Sequence, residues 1–479
     1  MEFDAFAPLP SGGGPIYLQL YQRYRAAIAS GKLQPGERVA SVRSLASALN
    51  LARGTVENAY QLLVSEGYFV SRGAAGTVVS PALARLAVDS VGAVASVPAL
   101  SAVHGMGGAP LPFQPGLPAF DAFPRARWAR LAGRQLRRLD VATMTYPHPA
   151  GHPALRAAIA AYLGIARGIA CSPQQVFVTS GYGGALQLLC QTLLHSGDTG
   201  WYEDPGYVIG RQFLSHAGMR LVAVAVDEEG LQVDAGRRLA DEARFAVVTP
   251  THQSPTGVGL SLPRRLELLE WARARSAWII EDDYDSEFRY HGRPLPALKS
   301  LDRDGRVLYT GTFSKVLFPG LRLAYLVVPP AEVECFRERV SFLPAAGSQL
   351  AQAVVADFMA EGHFARHLRR MRALYVERRQ YLVQALEQQA ADWLTVQPQA
   401  GGIQLLAHLR QHTADHAIAR AARARGLALH ARSEWTLASC PRPGLIMGFA
   451  NFRSADEAGA AVVRLCEVLR RGPAPLPPA

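Results

Sequence analysis

The peptide Tyr309-Thr310-Gly311-Thr312-Phe313-Ser314-Lys315-Val316-Leu317-Phe318-Pro319-Gly320-Leu321-Arg322 sets one lysine after an apolar strand, among small hydroxyl residues and ahead of an arginine. A lysine at such a turn can form a Schiff base, with Thr312, Ser314 and Arg322 clustering on a phosphate. As a bare pattern the peptide also describes a surface loop, so its weight comes from its neighbours in the same half of the chain. Asp282 follows the apolar run Ala277-Trp278-Ile279-Ile280. A carboxylate at a strand's C-terminal end can pair with a protonated pyridine nitrogen, and Tyr284, two positions on, can reach a ring oxygen. A run of acids such as Glu281-Asp282-Asp283 is more often a solvated loop, but this one is bounded by a strand and aromatic residues. Thr179-Ser180-Gly181-Tyr182-Gly183-Gly184-Ala185-Leu186 supplies a glycine-rich turn into a helix, a natural phosphate site through free N–H groups and the helix dipole.

A second set of residues lies in the first 80 positions. Apolar residues recur at helical spacing through Leu18, Tyr21, Ala26 and Ile28, and Gly31-Lys32-Leu33-Gln34-Pro35-Gly36 breaks that helix. Further helices are expected from Ser41 to Leu49 and from Arg53 to Glu66, joined at Asn50 to Ala52. Two short strands follow, Tyr68-Phe69-Val70 and Thr77-Val78-Val79, around the turn Arg72 to Gly76. This is the order of a winged helix-turn-helix, whose second helix enters the major groove of duplex DNA. The positions facing DNA would be Arg53, Thr55, Asn58 and Tyr60: Arg53 can grip guanine, Asn58 can read adenine and Thr55 suits a phosphate. Arg43 and Arg72 are candidate backbone clamps. An ordinary three-helix domain with surface arginines fits the spacing about as well.

The elements that must position these residues fill 479 positions, 49% hydrophobic and 19% charged, too long for one ordinary domain. The net charge of +11 suits a polyanionic partner. Residues 1–80, however, carry seven basic against five acidic side chains. A denser run, Arg366, Arg369, Arg370, Arg372, Arg378 and Arg379, falls in a helical stretch and reads as a solvated face. Residues 81–112 read as a linker of Ala, Val, Gly, Ser and Pro. From 113 to 479 apolar strands alternate with amphipathic helices: Val176–Val178, Gly200–Tyr202, Arg244–Val248, Ala277–Ile280 and Arg306–Tyr309. Such alternation argues for a largely parallel, buried α/β sheet. The Pro-rich tail after Arg471 is expected to be disordered. Cys171, Cys190, Cys335, Cys440 and Cys466 show neither a disulfide framework nor metal spacing, which suits a cytoplasmic location. No apolar run suggests export or membrane insertion.

Pro15-Ile16-Tyr17, Gly31 to Arg38, Ser41-Val42-Arg43-Ser44-Leu45-Ala46, Thr55-Val56, Ala59-Tyr60 and Glu66-Gly67-Tyr68 together resemble the GntR-family winged helix. That resemblance implies Arg43, Arg53 and Thr55 as DNA contacts. From Phe113 to about Leu469 the chain resembles a fold-type-I aminotransferase, which implies a pyridoxal phosphate cofactor and a smaller C-terminal α+β subdomain. By that resemblance Lys315 is the Schiff-base lysine, Asp282 the partner of the pyridine nitrogen and Tyr284 the ring-oxygen donor. Tyr207, in Glu203-Asp204-Pro205-Gly206-Tyr207, stacks on the ring, while Gly181, Tyr182 and Gly183 present backbone to the phosphate. Tyr146, in Tyr146-Pro147-His148-Pro149-Ala150-Gly151, resembles the tyrosine that reaches a neighbouring subunit's phosphate, which requires a homodimer.

Thr249 to Gly257 (TPTHQSPTG), Glu281 to Tyr290 (EDDYDSEFRY) and Gly448-Phe449-Ala450-Asn451, joined to the GntR-like N-terminus, resemble the MocR-type regulators. Three departures stand out. Ala324 replaces a usual glycine, Tyr182-Gly183-Gly184 replaces a small residue and glutamines, and Leu445-Ile446-Met447 stands where an arginine usually holds a substrate carboxylate. Without that bidentate anchor an amino acid is poorly positioned for turnover, although Arg432 and Arg442 lie nearby in sequence. The resemblance therefore implies a regulator of transcription that binds double-stranded DNA and responds to an amine, an amino acid or the cofactor. A catalytic aminotransferase with a DNA-binding appendage is the alternative, and a DNA-binding protein with a vestigial cofactor domain a weaker third.

Overall fold

The computed structural model describes residues 14–85, 108–141, 143–290, 295–343, 347–411, 414–438 and 442–471, with Ala5 and Ala7 besides. Residues 86–107 of the expected 81–112 linker, Cys440 and the tail after Arg471 lie outside the described residues. The chain forms two compact units, Met1–Gly107 and Gly108–Ala479.

The first unit orders α1 (Ile16–Ala29), α2 (Val42–Ala48), α3 (Arg53–Ser65), β1 (Phe69–Ser71) and β2 (Thr77–Val79). The Ser41 side chain caps α2 by accepting from the Ser44 N–H at 3.1 Å. Asn50 takes the left-handed conformation at the turn between α2 and α3, with φ 53°. Leu20, Leu45, Val56 and Leu63 are fully buried where the three helices meet, each such side chain stabilising the unit by about 1.5–3 kcal/mol. Tyr24, Tyr60 and Phe69 close that core with edge-on rings 5.3–5.6 Å apart. Residues 36–39 add a third extended segment, since Glu37 and Val79 share a backbone hydrogen bond of 2.8 Å and Val39 donates to Thr77. The Pro-Gly turn signal and the charges of Glu37 and Arg38 hide this segment from a reading by apolar pattern.

In the second unit the order is α4 (Arg125–Arg137), α5 (Pro153–Arg167), β3 (Val176–Thr179), α6 (Tyr182–Leu193), β4 (Thr199–Asp204), α7 (Val208–His216), β5 (Arg220–Asp227) and β6 (Gly230–Leu231). Then come α8 (Val233–Ala240), β7 (Phe245–Val248), α9 (Leu262–Arg275), β8 (Trp278–Asp283), β9 (Val307–Thr312) and β10 (Ala324–Val327). Helices α10 (Val333–Phe342), α11 (Gln349–Ala360) and α12 (His363–Gln389) lead to β11 (Leu394–Val396), β12 (Gln404–Leu409), α13 (Asp415–Arg423), β13 (His430–Ala431), β14 (Gly444–Gly448) and α14 (Ala455–Arg471).

The large sheet runs β3-β10-β9-β8-β7-β4-β5-β6. Strands β9, β8, β7, β4 and β5 are parallel, as the alternating pattern requires, while β10 is antiparallel to both neighbours. Adjacent residues of β7 serve opposite cores: Phe245 and Val247 pack on one face, Ala246 and Val248 on the other. Burial on both faces is why these strands read as unbroken apolar runs. A smaller antiparallel sheet, β11-β12-β14-β13, forms the C-terminal part.

All three acids of the run Glu281-Asp282-Asp283 are buried within β8. Because side chains alternate along a strand, Glu281 and Asp283 share one face and Asp282 takes the other. Glu281 accepts the N–H groups of Leu298 and Lys299, both at 2.8 Å. Asp283 accepts from Arg167 at 2.8 Å and from the Tyr309 hydroxyl at 2.7 Å. Arg167 also donates to Thr251 Oγ1 and the Leu295 carbonyl.

The arginine run on α12 is only partly the solvated face expected of it. Arg366, Arg369, Arg370 and Arg372 are exposed, but Arg378 is buried, paired with Asp121 at 2.5 Å and donating to the Ala450 carbonyl. An arginine buried with both a carboxylate and a carbonyl satisfied is indistinguishable by sequence from its solvated neighbours. Removing one member of a buried ion pair leaves the other uncompensated. Arg167→Met should therefore destabilise the second unit by about 3–5 kcal/mol, read as a lowered denaturation midpoint; a loss under about 1 kcal/mol would mean that Asp283 is solvated after all.

Candidate functional site

Lys315 follows β9 through the turn Phe313-Ser314, and its Nζ donates to the Gly116 carbonyl at 2.7 Å. Gly116 has φ +75°, a left-handed conformation that favours glycine. Burial pushes the lysine ammonium down from its ordinary value, opposed by the charges of Asp285 and Asp282. Asp282 projects from β8 toward the same space. Among the described residues no arginine or lysine pairs with it. Burial pushes its carboxyl up to about 7, eased by the nearby Tyr182 hydroxyl. That buried hydroxyl faces the Asp282 carboxylate and meets no other hydrogen-bond partner among the described residues.

Around this pair the chain gathers most of the residues marked in the sequence. Tyr207, at the N-terminus of α7, lies 6.1 Å from the Tyr182 ring and 5.8 Å from that of Trp435. Gly181 caps α6 with φ +90°, and a Cβ there would touch the Arg322 guanidinium at 3.5 Å. Arg322 itself sits at φ 48°, at the end of the Pro319–Leu321 turn. The α6 N-terminus and Arg322 thus present free N–H groups and a positive charge to one spot, which suits a phosphate. Gly183 faces open space; it is at Gly184 that a side chain would crowd, 2.9 Å from Ser180 Oγ. Thr312 and Ser314 are half-buried, joined by a bond from the Ser314 N–H to Thr312 Oγ1.

Tyr284 is placed less simply than its expected role. Its hydroxyl lies 3.0 Å from His252 Nδ1, which is also 3.0 Å from Asp285 Oδ1. His252 Nε2 is buried with no partner among the described residues. His252, Asp285 and Gly116 are the residues that sequence reasoning passed over. His252 stood in the Thr249–Gly257 peptide and Asp285 beside Tyr284, but nothing in their spacing said that a loop and a strand end would meet. Tyr146 is fully exposed and away from this cluster. Arg432 donates to the Arg442 carbonyl at 2.6 Å, and Arg442 is exposed. Neither arginine joins the Lys315 cluster through a described contact. Leu445, Ile446 and Met447 are fully buried in β14.

In the first unit, Arg53 opens α3 and is exposed, as are Asn58, one turn further, Arg43 on α2 and Arg72 before the wing turn. Thr55 is half-buried. Tyr60 corrects the expected set: it is 4% exposed, its hydroxyl donates to the Ala40 carbonyl at 2.8 Å, and its ring packs in the core. Val56, Ala59, Tyr60 and Leu63 recur at the three- and four-residue spacing of one helix face, and that face of α3 turns inward.

Residues 118–445 match the family described as Aminotransferase class I and II, and residues 16–79 the one described as Bacterial regulatory proteins, gntR family. The chain is 41% identical to the "Probable rhizopine catabolism regulatory protein MocR" of Rhizobium meliloti, over 91% of this chain and 90% of that protein. It is 34% identical to the "HTH-type pyridoxine biosynthesis transcriptional regulator PdxR" of Corynebacterium glutamicum, over 76% and 77% of the two chains. Among solved structures, LysN, an alpha-aminoadipate aminotransferase from Thermus thermophilus, is similar with TM-score 0.68 and 28% identity, over 75% of this chain and 92% of that one. Among the described residues no helix is long and apolar enough to cross a membrane. With both families on one chain, in the order of a MocR relative alike along nine tenths of its length, the chain belongs to the MocR-type transcriptional regulators, DNA-binding proteins that join a GntR-family helix-turn-helix to an aminotransferase-like domain.

Proposed function

We propose that the second unit senses an amine, an amino acid or pyridoxal phosphate itself, and that the chain acts as a homodimer on a double-stranded operator. The residues fit the cofactor: a buried carboxylate without an ion-pair partner among the described residues, the Tyr182 phenol beside it and a phosphate cradle converge near Lys315. When bound, pyridoxal phosphate supplies an aldehyde that condenses reversibly with primary amines. Asp282 would hold the ring nitrogen protonated, Tyr207 would cover the ring face, and Tyr284, oriented by His252, would donate to the ring oxygen. Gly181, Tyr182 and Gly183 with Thr312, Ser314 and Arg322 would hold the phosphate, joined in a dimer by Tyr146 of a second copy.

The observation that carries the sensing reading is the bond from Lys315 to Gly116. A lysine amine displaced by a competing amine would have this carbonyl as a partner, on the segment that enters the second unit between Gly108 and α4. Phe113, three residues before Gly116, pairs with Gly448 at the end of β14. The state of Lys315 is thereby tied to the entry segment, and an effector with different affinities for the two states can shift a population. Transamination is disfavoured by the apolar, fully buried Leu445–Met447 stretch of β14, which offers no anchor to a carboxylate.

The test is an absorbance spectrum of the purified protein before and after borohydride, with peptide mapping. The near-visible band should become fixed on Lys315; Lys315→Ala should abolish it and blunt the response of operator binding to amines while the protein still binds DNA. A band retained in Lys315→Ala would sink the assignment, and brisk turnover of an amino donor with a 2-oxo acid would favour an enzyme. Asp282 gives a second expectation. Its carboxyl in the cofactor-free fold sits at about 7 against an ordinary 3.8, so its contribution to stability is present below about pH 4 and lost as the pH rises to about 7. The cofactor-free Asp282→Asn variant should lose less stability than cofactor-free wild type over that window in thermal denaturation, and should bind pyridoxal phosphate more weakly. Equal pH slopes in the two proteins would show that Asp282 is not buried alone. Arg53→Ala should cost about 1–3 kcal/mol of operator discrimination in a binding titration if it reads a base; an unchanged preference for the operator would remove it from the recognition set.

A further inference from the structure

Charge on this chain is not where its helix-turn-helix is. Residues 1–80 hold an excess of only two positive side chains. Between Arg125 and Arg138 lie six arginines and no acid, and between His363 and Arg379 six arginines against one glutamate. These two segments alone hold an excess equal to the whole chain's +11. The first is α4 with its C-cap and the second is the front of α12, and the fold brings them together.

The meeting point is His363, the buried first residue of α12. Its Nε2 donates to Glu361 at 3.1 Å, and its Nδ1 accepts from Arg366 at 2.5 Å. Arg127 of α4 stands 3.4 Å from the same Nε2. Arg127, Arg366 and Arg370 line one cleft, floored by Phe358 and by His367, whose Nε2 lies 2.9 Å from the Val316 carbonyl. Arg366 and Arg370, four residues apart, share a helix face. All three arginines are exposed, and none has a carboxylate within ion-pair distance among the described residues. The acids nearby are already engaged, Asp357 and Glu361 by Arg134. The cleft also lies at the start of a 27-residue helix, whose dipole disfavours more positive charge there. Guanidinium groups held close together against a helix dipole, with nearby carboxylates committed elsewhere, need an anion.

We infer that this face of the second unit, centred on Arg127, Arg366 and Arg370, is a second DNA contact that binds backbone phosphates of duplex DNA independently of sequence. DNA is the polyanion this regulator meets, and a helix-turn-helix with so little excess charge leaves most of the electrostatic attraction to another surface. Planar guanidinium groups suit phosphate oxygens, which are recognised without reading bases.

The test uses the full chain with pyridoxal phosphate bound, titrated with a random-sequence duplex and with its operator over a series of salt concentrations. The triple variant R127A/R366A/R370A should bind both duplexes at least about tenfold more weakly at low salt. Its log K against log salt should be shallower by roughly two to three, since each neutralised phosphate contributes about 0.9. The triple lysine variant should keep the wild-type slope, and an unchanged near-visible band would report an intact fold in both. A slope and affinity equal to wild type, or a loss confined to the operator, would overturn the second contact. Wild-type protein that binds neither duplex would overturn the DNA-binding function itself, a different failure.

Discussion

The end of β8 puts three consecutive carboxylates into a protein interior, and the arrangement of the second unit follows from how each is compensated. An isolated buried charge is too costly to keep, so each acid must find a donor or give up its charge. Glu281 is held by two backbone N–H groups from the segment before β9, and Asp283 by the Arg167 guanidinium and the Tyr309 phenol. These contacts fix α5, the Leu298–Leu301 turn and β9 around one strand end. Strand alternation then leaves Asp282 on the opposite face, where no arginine or lysine among the described residues forms an ion pair with it. The fold satisfies two carboxylates completely and holds the third ready for a positive charge brought from outside. In the function proposed above a pyridinium nitrogen would be that charge, and a structural constraint on one strand would become a binding site.

The parts legible in the sequence were those with a local cause. Apolar runs gave β3, β4, β7, β8 and β9 because strands buried on both faces leave no room for polar alternation. The glycine-rich start of α6 was readable because positive φ at Gly181 requires its residue type locally, and the lysine turn because its residue types suit the chemistry proposed for it. What escaped was set by tertiary contact. Strand β10 looks like its parallel neighbours and differs only in direction, which a hydrophobic pattern does not encode. Tyr60 could have faced DNA or the core, and its neighbours Val56, Ala59 and Leu63 decide that it faces the core. His252 acquires its meaning only from Asp285 and Tyr284, 33 and 32 residues away.

The two arginine-rich segments show the same limit from the other side. On α12, Arg378 and Arg370 are equivalent in sequence, yet one is buried against Asp121 and the other is exposed without an acid. Composition gave the excess of charge correctly but not its address. The address matters, because a short-range reading surface and a long-range attracting surface need not coincide. Base edges are read by a few side chains at hydrogen-bond distance, whereas attraction to phosphates acts over a Debye length of about 10 Å at ordinary salt. An exposed helix such as α3, with Arg53 and Asn58 on its outer face, can therefore be modestly charged and still be selective.

The same division bears on how the proposed sensor could be made from an enzyme's fold. Turnover requires that a substrate be held by its carboxylate while a proton leaves its α-carbon, so losing the arginine at β14 removes the precise alignment on which rate depends. Sensing requires only that an amine compete for the place held by Lys315 and that the released lysine have somewhere else to go. In the proposed sensor the apolar, buried Leu445–Met447 stretch would withdraw the first capacity. The Gly116 carbonyl, 2.7 Å from Lys315 Nζ, would provide the second. On that proposal alignment is given up while exchange is kept, and exchange is all that a difference in affinity between two states demands.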